Sequence, residues 1–198
     1  MRYIVGIDEA GRGPLAGPVA VGAVSVPNVQ SLALDKKFWK GIKDSKKLSE
    51  KERELWFDLA TVARREGKVD WAVSLVSESV IDKKGIVYAI NLGIKRCLAK
   101  VSAKNNSQIF LDGGIRAPES FLHQQTVVKG DEKIPVISLA SILAKVVRDR
   151  KMKQLSKKYP KYGFEQHKGY GTRLHIEKIR KYGSVEPHRK TFIRELTK

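Results

Sequence analysis

Asp8 and Glu9 stand side by side where a short apolar run, Tyr3-Ile4-Val5-Gly6-Ile7, gives way to Ala10-Gly11-Arg12-Gly13-Pro14. Adjacent carboxylates at a strand end repel one another, so a cation between them is the expected compensation. The glycine-rich stretch behind them offers exposed backbone N–H groups and an arginine, the equipment for gripping a phosphate. Two further acids sit at similar punctuation: Asp112 opens Asp112-Gly113-Gly114, and Asp131 follows Gly130. Oxygen ligands in that number suit Mg²⁺ or Mn²⁺, whereas zinc calls for His or Cys. Two such ions about 4 Å apart activate a water and stabilise the leaving oxygen of a phosphodiester. Singly, Asp112-Gly113 and Gly130-Asp131 read equally well as turn dipeptides. The four acids together, with the glycine loop and a basic excess, point to phosphoryl chemistry on a nucleic acid.

Gly11-Arg12-Gly13 lacks the later glycine of a dinucleotide fingerprint, and no Walker lysine motif occurs in the chain. Directly behind Asp8-Glu9, it reads as a clamp on the sugar–phosphate of an extended strand. Glycine lets the backbone approach a ribose, whose 2′-OH is both donor and acceptor, a means of telling RNA from DNA. Lys43-Asp44-Ser45-Lys46-Lys47 carries three cations suited to phosphate contacts, and is equally readable as a solvated loop. Ser138, Ser141, Lys145 and Arg148 recur at helical spacing as one polar stripe, placed to position Asp131 or touch a substrate backbone. In His167-Lys168-Gly169-Tyr170-Gly171-Thr172, a tyrosine between glycines could stack on a sugar or base and keep its hydroxyl free. The alternative is that it packs the last helix. Histidines 123, 167, 175 and 188 show no metal-ligand spacing, and His123 and His175 are read as surface residues.

Strands and helices must hold these residues. Tyr3 to Asp8 reads as a first strand and Val19 to Val26 as a second, joined by a tight hairpin-like connection through Gly-Pro pairs. Gln30 to Lys47 has no clear period and reads as loop with a short helical piece. Ser49-Glu50-Lys51-Glu52 is a capping box that starts a helix running to Gly67, with Leu55, Leu59 and Val62 inward. Val69 to Val76 is a third strand, and Ser79 to Ala103 a helix with Ile86, Ile90, Ile94 and Leu98 at helical spacing. Gln108 to Leu111 and Thr126 to Lys129 are the fourth and fifth strands. A long helix spans Ile137 to Lys158, and a last one, Thr172 to Tyr182, stops at Gly183. This order predicts one α/β domain over residues 1–198, a mixed sheet flanked by helices. Sites in such sheets gather at strand ends, so the carboxylates of Asp8 and Asp112 converge if their strands are neighbours.

Composition narrows the partner. The 198 residues carry 39 Lys plus Arg against 21 Asp plus Glu, a formal net charge of +18, and a surplus that large favours a polyanionic ligand. Hydrophobic residues make up 41%, too many for a disordered chain. Cys97 is the single cysteine, which excludes an intramolecular disulfide, and its apolar helical setting predicts a buried, inert thiol. No signal peptide or membrane-length apolar stretch is read, so the expectation is a soluble cytoplasmic protein, monomeric by default. A non-catalytic basic RNA-binding protein, its acids serving as turn residues, is the rival class. A DNA-directed nuclease of the same fold, indifferent to the 2′-OH, is a third option.

The chain resembles the ribonuclease HII (type 2 RNase H) family over nearly its whole length. The matching segments are Gly6 through Pro18, Asp44-Ser45-Lys46-Lys47-Leu48, Leu111-Asp112-Gly113, Lys129-Gly130-Asp131, Ala140 through Val146, and Tyr162-Gly163-Phe164 through His167-Lys168-Gly169-Tyr170-Gly171-Thr172. The resemblance implies an RNase H-like fold with a helical carboxy-terminal part, here about residues 150–198. It also implies cleavage of RNA in RNA–DNA hybrids and 5′ of single ribonucleotides in duplex DNA. It assigns the divalent metal, Mn²⁺ or Mg²⁺, and catalysis to Asp8, Glu9, Asp112 and Asp131. It assigns the 2′-OH to Gly11, Arg12 and Gly13, and the RNA–DNA junction to Tyr170; Lys46 and Lys47 are read as further substrate contacts from the cationic loop that carries them. Family members often carry an asparagine where Gly85 stands, and no clear sliding-clamp motif follows His188-Arg189-Lys190-Thr191-Phe192.

Overall fold

A computed structural model describes residues 3–27 and 36–196. Its sheet holds β1 (Tyr3–Ala10), β2 (Val19–Pro27), β3 (Asp70–Val76), β4 (Gln108–Asp112) and β5 (His123–Val127), in the order β3-β2-β1-β4-β5. The β1–β2 and β2–β3 pairs are antiparallel, while β1–β4 and β4–β5 are parallel, so the sheet is mixed as the sequence predicts. The helices, with their short turns, are α1 (Lys36–Trp39), α2 (Glu50–Arg65), α3 (Glu78–Lys84), α4 (Ile86–Leu98), α5 (Gly130–Lys133), α6 (Pro135–Lys158), α7 (Phe164–His167), α8 (Arg173–Tyr182) and α9 (Lys190–Ile193). No helix among the described residues is long and apolar enough to cross a membrane.

Strand side chains alternate between faces, and β1 shows it. Val5 and Ile7 enter the core shared with α3 and α4, beside Ile90, Ile94 and Cys97. Ile4 joins the opposite core, where α2 and α6 supply Trp56, Ala60, Leu139 and Leu143. Gly6 lies on that second face because nothing larger fits: a Cβ there would come within 2.4 Å of the Val136 backbone. Gly22 on β2 meets the Ala140 carbonyl in the same way, at 2.3 Å. These two glycines let α6 lie directly on the sheet and bring its polar stripe to the end of β1.

Several expectations need correction. Leu55, Leu59 and Val62 are 58%, 42% and 49% exposed; Trp56, Ala60 and Ala63 carry the buried face of α2 instead. Both sets keep helical spacing, and the bulk of Trp56 decides the phase. The capping box is formed, with Glu52 N–H donating to Ser49 Oγ and Ser49 N–H to Glu52 Oε2. The single helix over Ser79 to Ala103 is two, because Gly85 at φ 84° stops α3 and starts α4. The β1–β2 connection spans residues 11–18 and is no tight hairpin. The fifth strand lies earlier, at His123–Val127, so Asp131 sits on the turn α5. Of the loop expected over Gln30 to Lys47, residues 30–35 lie outside the described residues. Residues 36–47 hold only α1 and a 3₁₀ turn at Ser45–Lys47. The long helix and the helix capped by Thr172 fall where expected.

Candidate active site

Parallel register pairs Ile7 with Leu111, so Asp8 and Asp112 follow at the carboxyl ends of neighbouring strands. Both lie on the face of Gly6, towards α6. Asp131 reaches them from α5, whose first amide, Gly130 N–H, donates to Asp112 Oδ1 at 2.7 Å. The three carboxylates each offer an oxygen within 4.8 Å of the others. Burial chiefly, reinforced by Glu9 and Asp112, pushes the Asp8 carboxyl well above the usual range. Asp131 is raised by burial and then by Asp112 and Asp44. Three like charges so close, two of them buried, form a site that a hard cation relieves. This is the fit expected of Mg²⁺ or Mn²⁺, with oxygen donors alone.

Glu9, one residue along the strand, lines the same cleft as Asp8 and Asp112, and after burial its charge is the first to raise Asp8. Its carboxylate lies 3.5 Å from the Arg12 guanidinium. Burial raises it and Asp112 adds to the rise, while Arg12 opposes both. Glu9 therefore borders the carboxylate cluster and stands outside its three-residue core.

Neighbouring groups hold the acids in place. Glu9 N–H donates to Asp8 Oδ1 at 2.7 Å, and the nearby Ser141 hydroxyl favours the charged Asp8 carboxylate. Ser141 also shares a 2.9 Å bond with Ser45 Oγ, tying Asp8 to the Asp44-Ser45-Lys46 turn. Ser138 Oγ donates to the Asp131 carbonyl at 2.6 Å. Lys46 Nζ stands 3.5 Å from Asp131 Oδ2; partial burial alone would lower its pKa, but Asp131, Asp44 and Asp8 together raise it. A cleft of about 230 Å³ joins Asp8, Glu9, Asp112, the loop Gly11-Arg12-Gly13, Lys46, Lys145 and Tyr170.

A family model described as ribonuclease HII matches residues 5–196. The chain belongs to the ribonuclease HII family. Ribonuclease HII of Bacillus cytotoxicus is 46% identical over 192 residues, covering 97% of this chain and 69% of the relative. That of Endomicrobium trichonymphae is 42% identical, covering 96% and 84%. Among solved structures, ribonuclease H2 of Pyrococcus horikoshii superposes with a TM-score of 0.71 at 26% identity, covering 98% of this chain and 97% of that one. RNase HII of Archaeoglobus fulgidus, solved in complex with PCNA, gives 0.73 at 28% identity with the same coverage. The protein is thus a nuclease of the ribonuclease H class, a hydrolase on an RNase H fold.

Within this ribonuclease HII site, Arg12, Gly13 and Lys46 are exposed at the cleft, and Tyr170 is 44% exposed with its ring 5.8 Å from the Arg148 guanidinium. Lys47 is not among the residues lining the cleft and pairs with Glu132 at 2.8 Å. His123 is exposed as expected, but His175 is fully buried, in contact with His167 and His188. Sequence reasoning took it for a surface residue because one histidine in a charged helix carries no burial signal. Arg189, fully buried against the loop, was not singled out at all.

Proposed function

We propose that the protein hydrolyses RNA in RNA–DNA hybrids and cuts duplex DNA on the 5′ side of an embedded single ribonucleotide, leaving a 3′-hydroxyl and a 5′-phosphate. The supporting observation is the juxtaposition of Asp8, Asp112 and Asp131 with a loop whose Arg12 and Gly13 N–H groups have no acceptor among the described residues. Chemistry and ribose recognition would then share one cleft.

Asp8, Asp112 and Asp131 hold the divalent ions, with Glu9 at their border. A divalent pair held there would supply activation of a water nucleophile and charge neutralisation at the departing 3′-oxygen. The free N–H groups of Arg12 and Gly13 meet the ribose 2′-OH, which serves recognition and does not attack. Arg12 and Lys46 offer exposed cations to the phosphates, and the Tyr170 ring stacks at the RNA–DNA junction. Lys145 lines the same cleft; burial lowers its pKa while its 2.7 Å contact with Asp149 supports the charge. The remaining basic surplus carries the duplex.

The test is an end-labelled DNA duplex with one ribonucleotide, incubated in Mg²⁺, Mn²⁺ or EDTA. One metal-dependent cut 5′ of the ribonucleotide is expected, with a 3′-hydroxyl end. A 2′,3′-cyclic phosphate would show that the 2′-OH attacks and would defeat the mechanism. Binding without a cut in either metal would favour the non-catalytic RNA-binding class.

A further inference from the structure

Two guanidinium groups are fully buried behind the loop 11–18, and neither sits in a salt bridge. Their hydrogen bonds all go to backbone carbonyls, and Arg148 Nη1 is left buried without a partner. Arg148 Nε and Nη2 donate to Pro18 and Ala16, at 2.9 and 3.2 Å. Arg189 Nη2, Nη1 and Nε donate to Gly11, Arg12 and Gly17, at 2.6, 2.8 and 3.0 Å. The Arg189 backbone N–H adds the Leu15 carbonyl at 2.8 Å. In a trans peptide, C=O and the following N–H point in opposite directions. Turning the Gly11 and Arg12 carbonyls inward therefore turns the Arg12 and Gly13 N–H groups outward. Among the described residues neither of these two amides has a hydrogen-bond partner.

The preceding residue does the same for Tyr170. Val185 N–H donates to His188 Nδ1 at 2.9 Å, and the Val185 carbonyl, 3.1 Å from the same nitrogen, takes the His188 backbone N–H at 2.9 Å, which assigns the ring proton to Nε2. That nitrogen donates to His175 Nε2 at 3.1 Å, and His175 Nδ1–H donates to the Tyr170 carbonyl at 2.9 Å. One dipeptide, His188-Arg189, thus reaches both the loop and the tyrosine.

We propose that His188-Arg189 is the positioning element for ribonucleotide recognition, with Arg189 setting the loop amides and His188 setting Tyr170 through His175. Neither residue touches substrate. The inference rests on the ribose-reading role proposed above for the loop. It predicts that disturbing Arg189 harms discrimination between ribose and deoxyribose more than duplex binding.

The test compares, in an Asp8→Asn background with Mg²⁺, the affinities for an all-DNA duplex and for the same duplex carrying one ribonucleotide. Arg189→Lys keeps the charge but cannot reach three carbonyls at once. Its ribose preference should fall about tenfold, the loss of one charge-assisted hydrogen bond, with all-DNA affinity within about twofold of the parent. Asp82→Ala is a second variant that leaves Arg189 in place. Asp82 accepts from Lys190 N–H, Thr191 N–H and Thr191 Oγ1, so its loss loosens the seat of Arg189 from an exposed position. The same ratio should fall about threefold. An unchanged ratio in both variants, or a parallel loss on both duplexes, overturns the inference. A parent with no ribose preference overturns the ribose-reading role itself, and is recognised before any variant is measured.

Discussion

Gly11 and Gly13 flank one arginine, and the structure gives them opposite reasons to be glycine. Gly11 has φ +88°, and a Cβ on it would lie 1.9 Å from Arg148 Nε and 2.4 Å from Cδ. Arg148 cannot swing aside cheaply, since Nε and Nη2 are anchored on Pro18 and Ala16. Left-handed backbone costs a non-glycine residue about 1–2 kcal/mol. Weakening two hydrogen bonds from a buried cation brings the total for Gly11→Ala to about 4 kcal/mol. In a chain of this size that lowers the melting temperature by about 8–15 °C. Gly13 has no atom within 4 Å of its would-be Cβ, and its φ is not in the left-handed region. Gly13→Ala should melt within about 2 °C of wild type, as an exposed substitution does. Its methyl group would stand where a ribose has to approach, so cleavage at a single ribonucleotide should fall by about tenfold or more. Thermal unfolding and single-turnover cleavage of both variants decide the matter. A Gly11→Ala protein that melts with wild type would refute the arginine anchoring. A Gly13→Ala enzyme that is stable and fully active would remove the loop from ribose recognition.

Asp112→Asn keeps an acceptor for Gly130 N–H while deleting the charge that raises Asp8, Glu9 and Asp131. In EDTA it should melt about 2–4 °C above wild type, from relief of about 1 kcal/mol of repulsion. Adding Mg²⁺ or Mn²⁺ should then raise the melting temperature of wild type alone; a wild type indifferent to both ions contradicts metal binding by these acids. Burial, helped by His167 and His188, lowers His175 to about 4 although the Tyr170 carbonyl favours its charge. A histidine neutral in the fold contributes full stability above its unfolded pKa of about 6.5, and loses it as pH falls towards the folded value. Proton NMR of the His175 ring should therefore show no titration between pH 7 and 5.5, and a ring titrating near 6 would show that the His188–His175–Tyr170 chain is open to solvent.

The sheet was legible because its signals are local. The valine-rich run between Pro18 and Pro27, the capping box at Ser49 and the apolar stripe of Ile90, Ile94 and Leu98 each carry their own period or punctuation. The errors fall where two local readings were equally good. In α2, Leu55-Leu59-Val62 and Trp56-Ala60-Ala63 both fit a helical face, and the tie is broken by the sheet beneath. At Gly85, the helical period continues across the break, and only the positive φ reveals it. The start of β5 carries polar residues, His123-Gln124-Gln125, because this edge strand is exposed, so its period is faint.

The carboxylates were found from residue type, yet their grouping depends on geometry that type does not carry. Adjacent in sequence, Asp8 and Glu9 look like a pair. The tight carboxylate cluster instead joins Asp8 to Asp112, 104 positions away, through the parallel register of β1 and β4, while Glu9 lines the cleft beside them. The residues that shape the loop were harder still to see. A metal ligand or phosphate contact announces itself by charge beside glycine, whereas Arg148 and Arg189 work by turning carbonyls inward. Among 39 Lys plus Arg, nothing in sequence separates a buried cation spent on backbone from one spread over a duplex. Their burial separates them. Arg189 has given up water without gaining a carboxylate, and all three of its guanidinium nitrogens are used by carbonyls of the loop that faces the substrate, whereas Arg148 commits Nε and Nη2 to that loop and keeps Nη1 buried without a partner.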